Sequence, residues 1–177
     1  MVRSRGVLFP EDAMRVASRS EAAQASRDLG GAWTHRRLGV DVLTTLATPQ
    51  AVGELFFTPA ADLTYQFKAW LMVRTTNVVV GPQPGITLPT GLLDGAWSGR
   101  GPTSNVASVE RHEGLDDGVV AISGLPLTTK SYLATIEGLI VAGATPAGNL
   151  QITIQTALAG TEVRVVAGSA LRYRTVP

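Results

Sequence analysis

The sequence predicts an all-β protein, an antiparallel β-sandwich that follows a short helical arm. Three observations lead to this fold class. Apolar and polar residues alternate with period two over several stretches, as they do in half-buried strands. The 19 glycines and 10 prolines among the 177 residues separate these stretches with turns. β-branched residues, which favour strands, number 4 in the first 37 positions and 40 in the remaining 140.

The arm comprises residues 1–37 and carries a net charge of +3, whereas the sandwich domain, residues 38–177, carries −2. A helix is predicted over Pro10–Leu29, because proline suits a first helical position and a glycine pair follows the segment. Its apolar stripe is thin and mostly alanine, so the helix gains little from folding alone. Two interpretations stay open: a frayed terminal extension, or an anchor that orders on a neighbouring subunit.

The clearest strand of the sandwich is predicted at Leu63–Arg74, where every second residue from Leu63 is apolar. Trp70 and Met72 lie on its second face, which indicates that one end of that face is also covered. The segments Leu150–Leu158 and Ser131–Val141 alternate in the same way. All three are therefore predicted to be half-buried strands.

Weaker alternation predicts further strands in five segments, which are Leu38–Ala47, Gly53–Thr58, Val78–Leu88, Val119–Ser123 and Glu162–Arg174. The last segment contains Ala167-Gly168-Ser169, which we interpret as a bulge or bend. Residues 98–118 show no convincing period and are predicted to form a long loop. Short strands and turns at this spacing favour a sandwich or jelly roll over a parallel sheet.

The composition argues against several classes of protein. Without cysteine there is no disulfide, thiolate metal site or cysteine nucleophile. A net charge of +1 argues against wrapping nucleic acid. The N-terminus lacks the pattern of a secretory signal, and no run approaches the roughly 18 apolar residues of a membrane span. We therefore expect no nucleic-acid partner and no membrane partner.

Titratable side chains cluster at Glu110–Glu113 and Asp116-Asp117. Their spacing matches no recognised metal-ligand pattern, and Arg111 opposes cation binding, so a solvated polar loop is predicted. His35 lies beside two arginines, which disfavour its protonated form and make it a poor general base. No G-x-S-x-G motif and no lysine-containing phosphate loop is present. We predict no catalytic residue, no metal site and no cofactor.

The tryptophans are candidates for a glycan platform, because an exposed aromatic ring offers an apolar face to a sugar. Trp70 lies in the clearest strand and is expected in the core or in an interface. Trp97 precedes the predicted loop and is the best candidate for an exposed aromatic residue. His112, within that loop, is a further candidate for surface contact.

A set of short motifs is more specific than any of these features. In Ala60–Leu71 an alanine-rich turn leads into a Thr-Tyr-x-Phe strand, and the later motifs follow in order at Gly85–Gly91, Ile136–Ile140, Gly143–Thr145, Gly148–Ile152 and Val166–Leu171. Together they resemble structural proteins of tailed bacteriophages over residues 38–177. The resemblance implies a jelly-roll sandwich similar to tumour-necrosis-factor and C1q heads, commonly trimeric and generally without catalytic residues. Gln155–Thr161 is shorter than in the family, which leaves the final hairpin open.

These arguments predict a non-enzymatic virion protein that decorates the capsid or forms a head fibre, made in the host cytoplasm and trimeric. Its expected partners are the major capsid protein or other virion proteins. Anchoring is expected through the arm, by Arg3, Arg5, Phe9, Met14, Arg15, Arg19 and Leu29. The alternative is a tail-fibre or adhesin module that binds a host-surface glycan through Trp97 and the loop 98–118. A separate binding domain of the C1q class is a third interpretation, which the lack of a secretory signal disfavours.

Overall fold

The computed structural model describes residues 31–102, 108–122 and 124–177. The regular secondary structure in these ranges consists of strands, with no helix. In chain order the strands are β1 (Thr34–Arg37), β2 (Val42–Thr44), β3 (Gln50–Phe57), β4 (Thr64–Thr75), β5 (Pro82–Thr87), β6 (Thr90–Pro102), β7 (Ser108–Glu113), β8 (Gly118–Val119), β9 (Tyr132–Ala147), β10 (Leu150–Thr156), β11 (Val163–Val165) and β12 (Ala170–Val176). The predicted helix Pro10–Leu29 lies outside the described residues.

The strands form two sheets. The larger sheet has the order β1-β12-β4-β9-β6-β7, and β11 joins β2 to β4 at one end. The smaller sheet has the order β3-β10-β5-β8. Neighbouring strands are antiparallel in both sheets. The two sheets contribute side chains to a shared hydrophobic core, so the prediction of an antiparallel β-sandwich is confirmed.

The central strand of the larger sheet, β4, has the alternation that the sequence predicts. Its inward residues are buried, and they are Tyr65, Phe67, Ala69, Leu71 and Val73. The intervening residues are half-buried and face away from the core. In β10, Leu150, Ile152 and Ile154 complete the opposite side of the core. Period two therefore identifies both the strand and its buried face.

Aromatic side chains tie the two sheets together at one point. Phe57, at the end of β3, stacks on Tyr173 of β12 with ring centroids 4.3 Å apart and an interplanar angle of 12°. Tyr65 of β4 lies 5.3 Å from the same phenyl ring. Because β3 belongs to the smaller sheet and β4 and β12 to the larger, this cluster fixes one sheet against the other.

The prediction of a long loop over residues 98–118 is wrong. Strands β6 and β7 form a hairpin that extends the larger sheet beyond β9. The physical reason is that two inward positions of β6 are glycines. A Cβ at Gly99 would lie 2.2 Å from Val120 Cγ2, and one at Gly101 would lie 2.6 Å from Ile122 Cδ1. The chain after β8 fills the space that inward side chains of β6 would take, so no apolar alternation is visible in the sequence.

Thr34–Arg37, which the sequence places in the basic arm, forms strand β1 and pairs with β12 at the edge of the larger sheet. At the other end of the chain, the predicted bend at Ala167-Gly168-Ser169 separates β11 from β12. Gly168 has a φ of 92°, a left-handed conformation that favours glycine. This turn lets β11 and β12 pair one after the other with β4.

Candidate functional site

The outer face of the larger sheet, which points away from the core, carries an ordered row of charged and aromatic side chains. Lys68 of β4 stands opposite Arg172 of β12 on one side and Glu137 of β9 on the other. One step along the same strands, Gln66 stands opposite Arg174. Such cross-strand neighbours lie close enough to interact directly.

The arginines of this row stack on tryptophans. The Arg172 guanidinium lies between two indoles, with its Cζ 4.2 Å from the centroid of Trp33 and 4.8 Å from that of Trp70. Arg174 lies 4.7 Å from the Trp33 centroid, and the Lys68 ammonium 5.7 Å from that of Trp70. We call these five residues the cation–aromatic cluster. Each contact of this kind stabilises by about 0.5–2 kcal/mol, depending on how far it is desolvated.

The cations of the cluster differ in their polar partners. Lys68 forms a salt bridge with Glu137. Arg174 donates from Nε and Nη2 to Gln66 Oε1, at 3.0 and 2.8 Å. In contrast, the buried Nε of Arg172 has no hydrogen-bond acceptor in the described part of the chain. An unpaired buried donor of this kind costs about 1–3 kcal/mol. Because this Nε is buried, an acceptor in solvent could reach Arg172 only through the other nitrogens of its guanidinium.

Arg164, on the same sheet, shows the pairing that Arg172 lacks. Its guanidinium contacts the carboxylates of Glu162 and Asp41. The hydrogen bond that Arg164 donates to Glu162 is the main cause that raises the pKa of Arg164 above its ordinary value. Within the described residues, two carboxylates therefore hold Arg164, whereas two aromatic rings hold Arg172.

An open groove of about 620 Å³ runs along the cation–aromatic cluster. Its lining includes Trp33, Gln66, Lys68, Ser98, Glu137, Leu139 and Arg172. A smaller recess of about 180 Å³ continues it and shares Lys68, Ser98 and Glu137. The cluster and groove together hold three cations and one carboxylate, a formal net charge of +2. The groove is therefore suited to an anion with hydroxyl groups around it.

The structure corrects one predicted site residue and leaves others untested. Trp97 is 2% exposed, and its indole Nε1 donates to the carbonyl oxygen of Asp116 at 3.0 Å. The expectation of an exposed Trp97 is therefore wrong, because Trp97 is an inward residue of β6 and belongs to the hydrophobic core. His112 lies in β7 opposite Ser98, and its side chain is outside the described part of the structure. His35 is exposed in β1, opposite Arg172.

The predicted anchoring residues of the arm, Arg3, Arg5, Phe9, Met14, Arg15, Arg19 and Leu29, also lie outside the described residues. The groove was not predicted, although the sequence holds part of its signal. In Leu171-Arg172-Tyr173-Arg174 the arginines alternate with buried or half-buried residues, which places both on one face of a strand. Trp33, in contrast, precedes β1 and meets Arg172 only through sheet pairing that links distant parts of the chain.

Comparison with known protein families and with curated proteins gives no match for this chain. In the described ranges, no helix is long and apolar enough to span a membrane. The same ranges hold no group of three or more His, Cys, Asp or Glu residues placed to share a metal ion.

Proposed function

We propose that the chain is a non-enzymatic structural protein of a tailed-phage virion, with a jelly-roll sandwich that acts by assembly. The strand order carries this proposal. With β2, β6, β7 and β11 set aside, β1-β12-β4-β9 faces β3-β10-β5-β8. This is the order of an eight-stranded jelly roll, a double-sheet fold frequent in viral capsid domains. The strand order agrees with the jelly roll that the sequence motifs imply, and the virion role itself rests on the resemblance of those motifs.

The proposal includes a homotrimer, for which an exposed apolar surface offers a contact. Leu43, Leu46 and Leu158, which we call the leucine patch, are 57%, 49% and 59% exposed. Main-chain hydrogen bonds from Thr156 N to Leu46 O (3.0 Å) and from Gly160 N to Thr45 O (2.8 Å) hold the turn after β10 beside β2. Exposed apolar surface favours association, and a net charge of +1 gives little repulsion between copies.

In the proposed arrangement the basic arm docks on the capsid, and the sandwich projects from it. The decisive experiment images labelled full-length protein on intact virions and compares it with a variant that lacks residues 1–30. We expect label on the head with the full chain, and loss of attachment with a folded, trimeric truncation. Full attachment of the truncated protein would exclude the arm as the anchor. Absence of the chain from purified virions would refute the virion role.

A second candidate function is an adhesin module that binds a host-surface glycan, and the groove is the observation that favours it. The glycan surface of this candidate is therefore the groove and cluster, which include Ser98 from the predicted loop, in place of an exposed Trp97 ring. The test measures attachment of labelled protein to host cells. An Arg172→Gln variant should attach less than the wild type, whereas a Lys130→Gln variant, changed at an exposed loop lysine, should attach equally.

A further inference from the structure

We propose that the groove binds an acidic saccharide and that Arg172 is the residue that receives its carboxylate. This inference rests on the second candidate function, because it names the ligand class of that adhesin surface. The occupant is an oligosaccharide that carries carboxylates, such as a polyuronate. A nucleic acid fits less well, because its affinity comes from many phosphate contacts and the groove offers few cations.

The Arg172 guanidinium is restricted by aromatic contacts. Its Cζ lies over two indole rings, and its Nε is buried without an acceptor in the described part of the chain, so a ligand would meet the outer nitrogens of the guanidinium. A guanidinium presents its donors in a rigid planar fork, which matches the two oxygens of a carboxylate. Because the indoles already restrict the side chain, binding an anion loses less conformational entropy than it would at a free surface arginine.

The groove carries more positive than negative charge. Lys68 and Arg172 line it together with one carboxylate, Glu137, and Arg174 lies beside it over the Trp33 ring, so the groove favours an anion over a neutral ligand. The Lys68–Glu137 salt bridge lies between Arg172 and the smaller recess. It neutralises Lys68 only in part, since both side chains reach solvent and exposed pairs are weak.

The rest of the lining is polar. The Gln66 amide and the Ser98 hydroxyl can donate to and accept from sugar hydroxyls, and the Glu137 carboxylate can accept from them. The groove and recess cross the sheet from Trp33 beside β1 to Arg100 in β6. At about 4.8 Å between adjacent strands, the four intervals from β1 to β6 span about 19 Å. This length suits several linked sugar units rather than one small anion.

The test is titration of the full-length protein with trigalacturonate, followed by tryptophan fluorescence and calorimetry. Neutral maltotriose and inorganic phosphate serve as the comparison ligands. We expect trigalacturonate to bind, to bind more weakly as salt is raised, and to bind more tightly than either comparison ligand. Arg172→Gln should weaken it at least about tenfold, because a charge-assisted hydrogen bond is lost. Arg172→Lys keeps the charge, yet should recover only part of the affinity, because it loses the planar fork.

Two further variants separate the groove from general charge. Glu137→Gln removes the carboxylate of the groove and should tighten trigalacturonate binding about twofold to fivefold. Lys130→Gln lowers the net charge by the same amount as Arg172→Gln, but on an exposed loop, and should leave binding unchanged. Circular dichroism and thermal melting check that each variant folds. Because Glu137→Gln is expected to raise the affinity for trigalacturonate, a variant that only loses its fold could not give the same result.

Several results would overturn the proposal. These are no trigalacturonate binding by the wild type, equal binding of maltotriose, preference for phosphate, or equal losses in Lys130→Gln and Arg172→Gln. A lower oligomer mass in Arg172→Gln would mean that a second copy occupies the groove. The adhesin function fails separately: binding of trigalacturonate without attachment to host cells refutes the function and keeps the site. Attachment that Arg172→Gln leaves unchanged refutes the groove as the adhesin surface and keeps the adhesin function.

Discussion

Replacing Gly99 by alanine tests whether β6 needs a glycine at this position to pack against the segment after β8. Gly99 is buried in β6, next to Ser98 of the groove lining. A Cβ at this position would lie 2.2 Å from Val120 Cγ2 and 3.2 Å from Trp97 Cζ3. Val120 is fully buried, and a valine side chain has few alternative rotamers. The new methyl group therefore forces a shift of the packed segment after β8.

The expected loss of stability follows from two opposed effects. Alanine in a strand interior is favoured over glycine by about 0.5–1 kcal/mol. Overpacking of a close-packed core costs about 1–3 kcal/mol, and the short approach to a stiff side chain places Gly99 in the upper part of that range. We expect Gly99→Ala to lower the free energy of unfolding by about 1–2 kcal/mol. For a chain of this size, that lowers the melting temperature by roughly 2–8 °C.

The assay is chemical denaturation of the wild type, Gly99→Ala, Val120→Ala and the double variant. Because Val120→Ala removes the group that collides, the double variant should be more stable than the sum of the single effects predicts, by about 1 kcal/mol or more. Gly39→Ala is the matched control, since a Cβ there meets nothing within 4 Å. It should be neutral or stabilising by up to about 1 kcal/mol. Additive single effects would refute the packing explanation.

Two more outcomes are expected from the contacts described above. Ser169 is buried, and its Oγ accepts from Met72 N at 2.9 Å and donates to Val166 O at 2.8 Å. Ser169→Ala should therefore lower the unfolding free energy by about 1–3 kcal/mol in the same denaturation assay, and an unchanged midpoint would contradict it. Leu158→Asp places a charge in the leucine patch and should lower the oligomer mass in mass photometry. A wild-type monomer, or an unchanged mass in the variant, would refute the proposed contact.

The sequence predicts those strands in which large apolar side chains on one face fill the core and polar or half-buried side chains occupy the other face. In β4, alternate residues such as Phe67 and Leu71 are buried while Lys68 and Trp70 are half-buried, so the pattern is visible in the chain itself. In β6, the space on the inner side of Gly99 is filled by Val120, which comes from a segment some 20 residues later in the chain. Because inward positions of β6 are glycines rather than large apolar residues, the sequence there shows no alternation and predicts a loop.

The groove could not be predicted from the sequence for a different reason. Its central contact joins Trp33, Trp70 and Arg172, which come from the beginning, middle and end of the described chain. Period two places Arg172 on an outer face, but only the register of β12 between β1 and β4 brings the two indoles to it. The sequence alone also favoured Trp97 for exposure, although its place in β6 buries it.

Assembly and saccharide binding can coexist, because their proposed surfaces lie at different places on the molecule. Along β4, Lys68 in the groove and Arg74 are six residues apart, a distance of about 20 Å at 3.3 Å per residue. Arg74 pairs with Arg164 of β11, which in turn pairs with Leu43 of the leucine patch. Two further strand intervals add about 10 Å across the sheet. A copy docked on the leucine patch would therefore leave the groove open, so Leu158→Asp should change the oligomer mass without changing trigalacturonate binding.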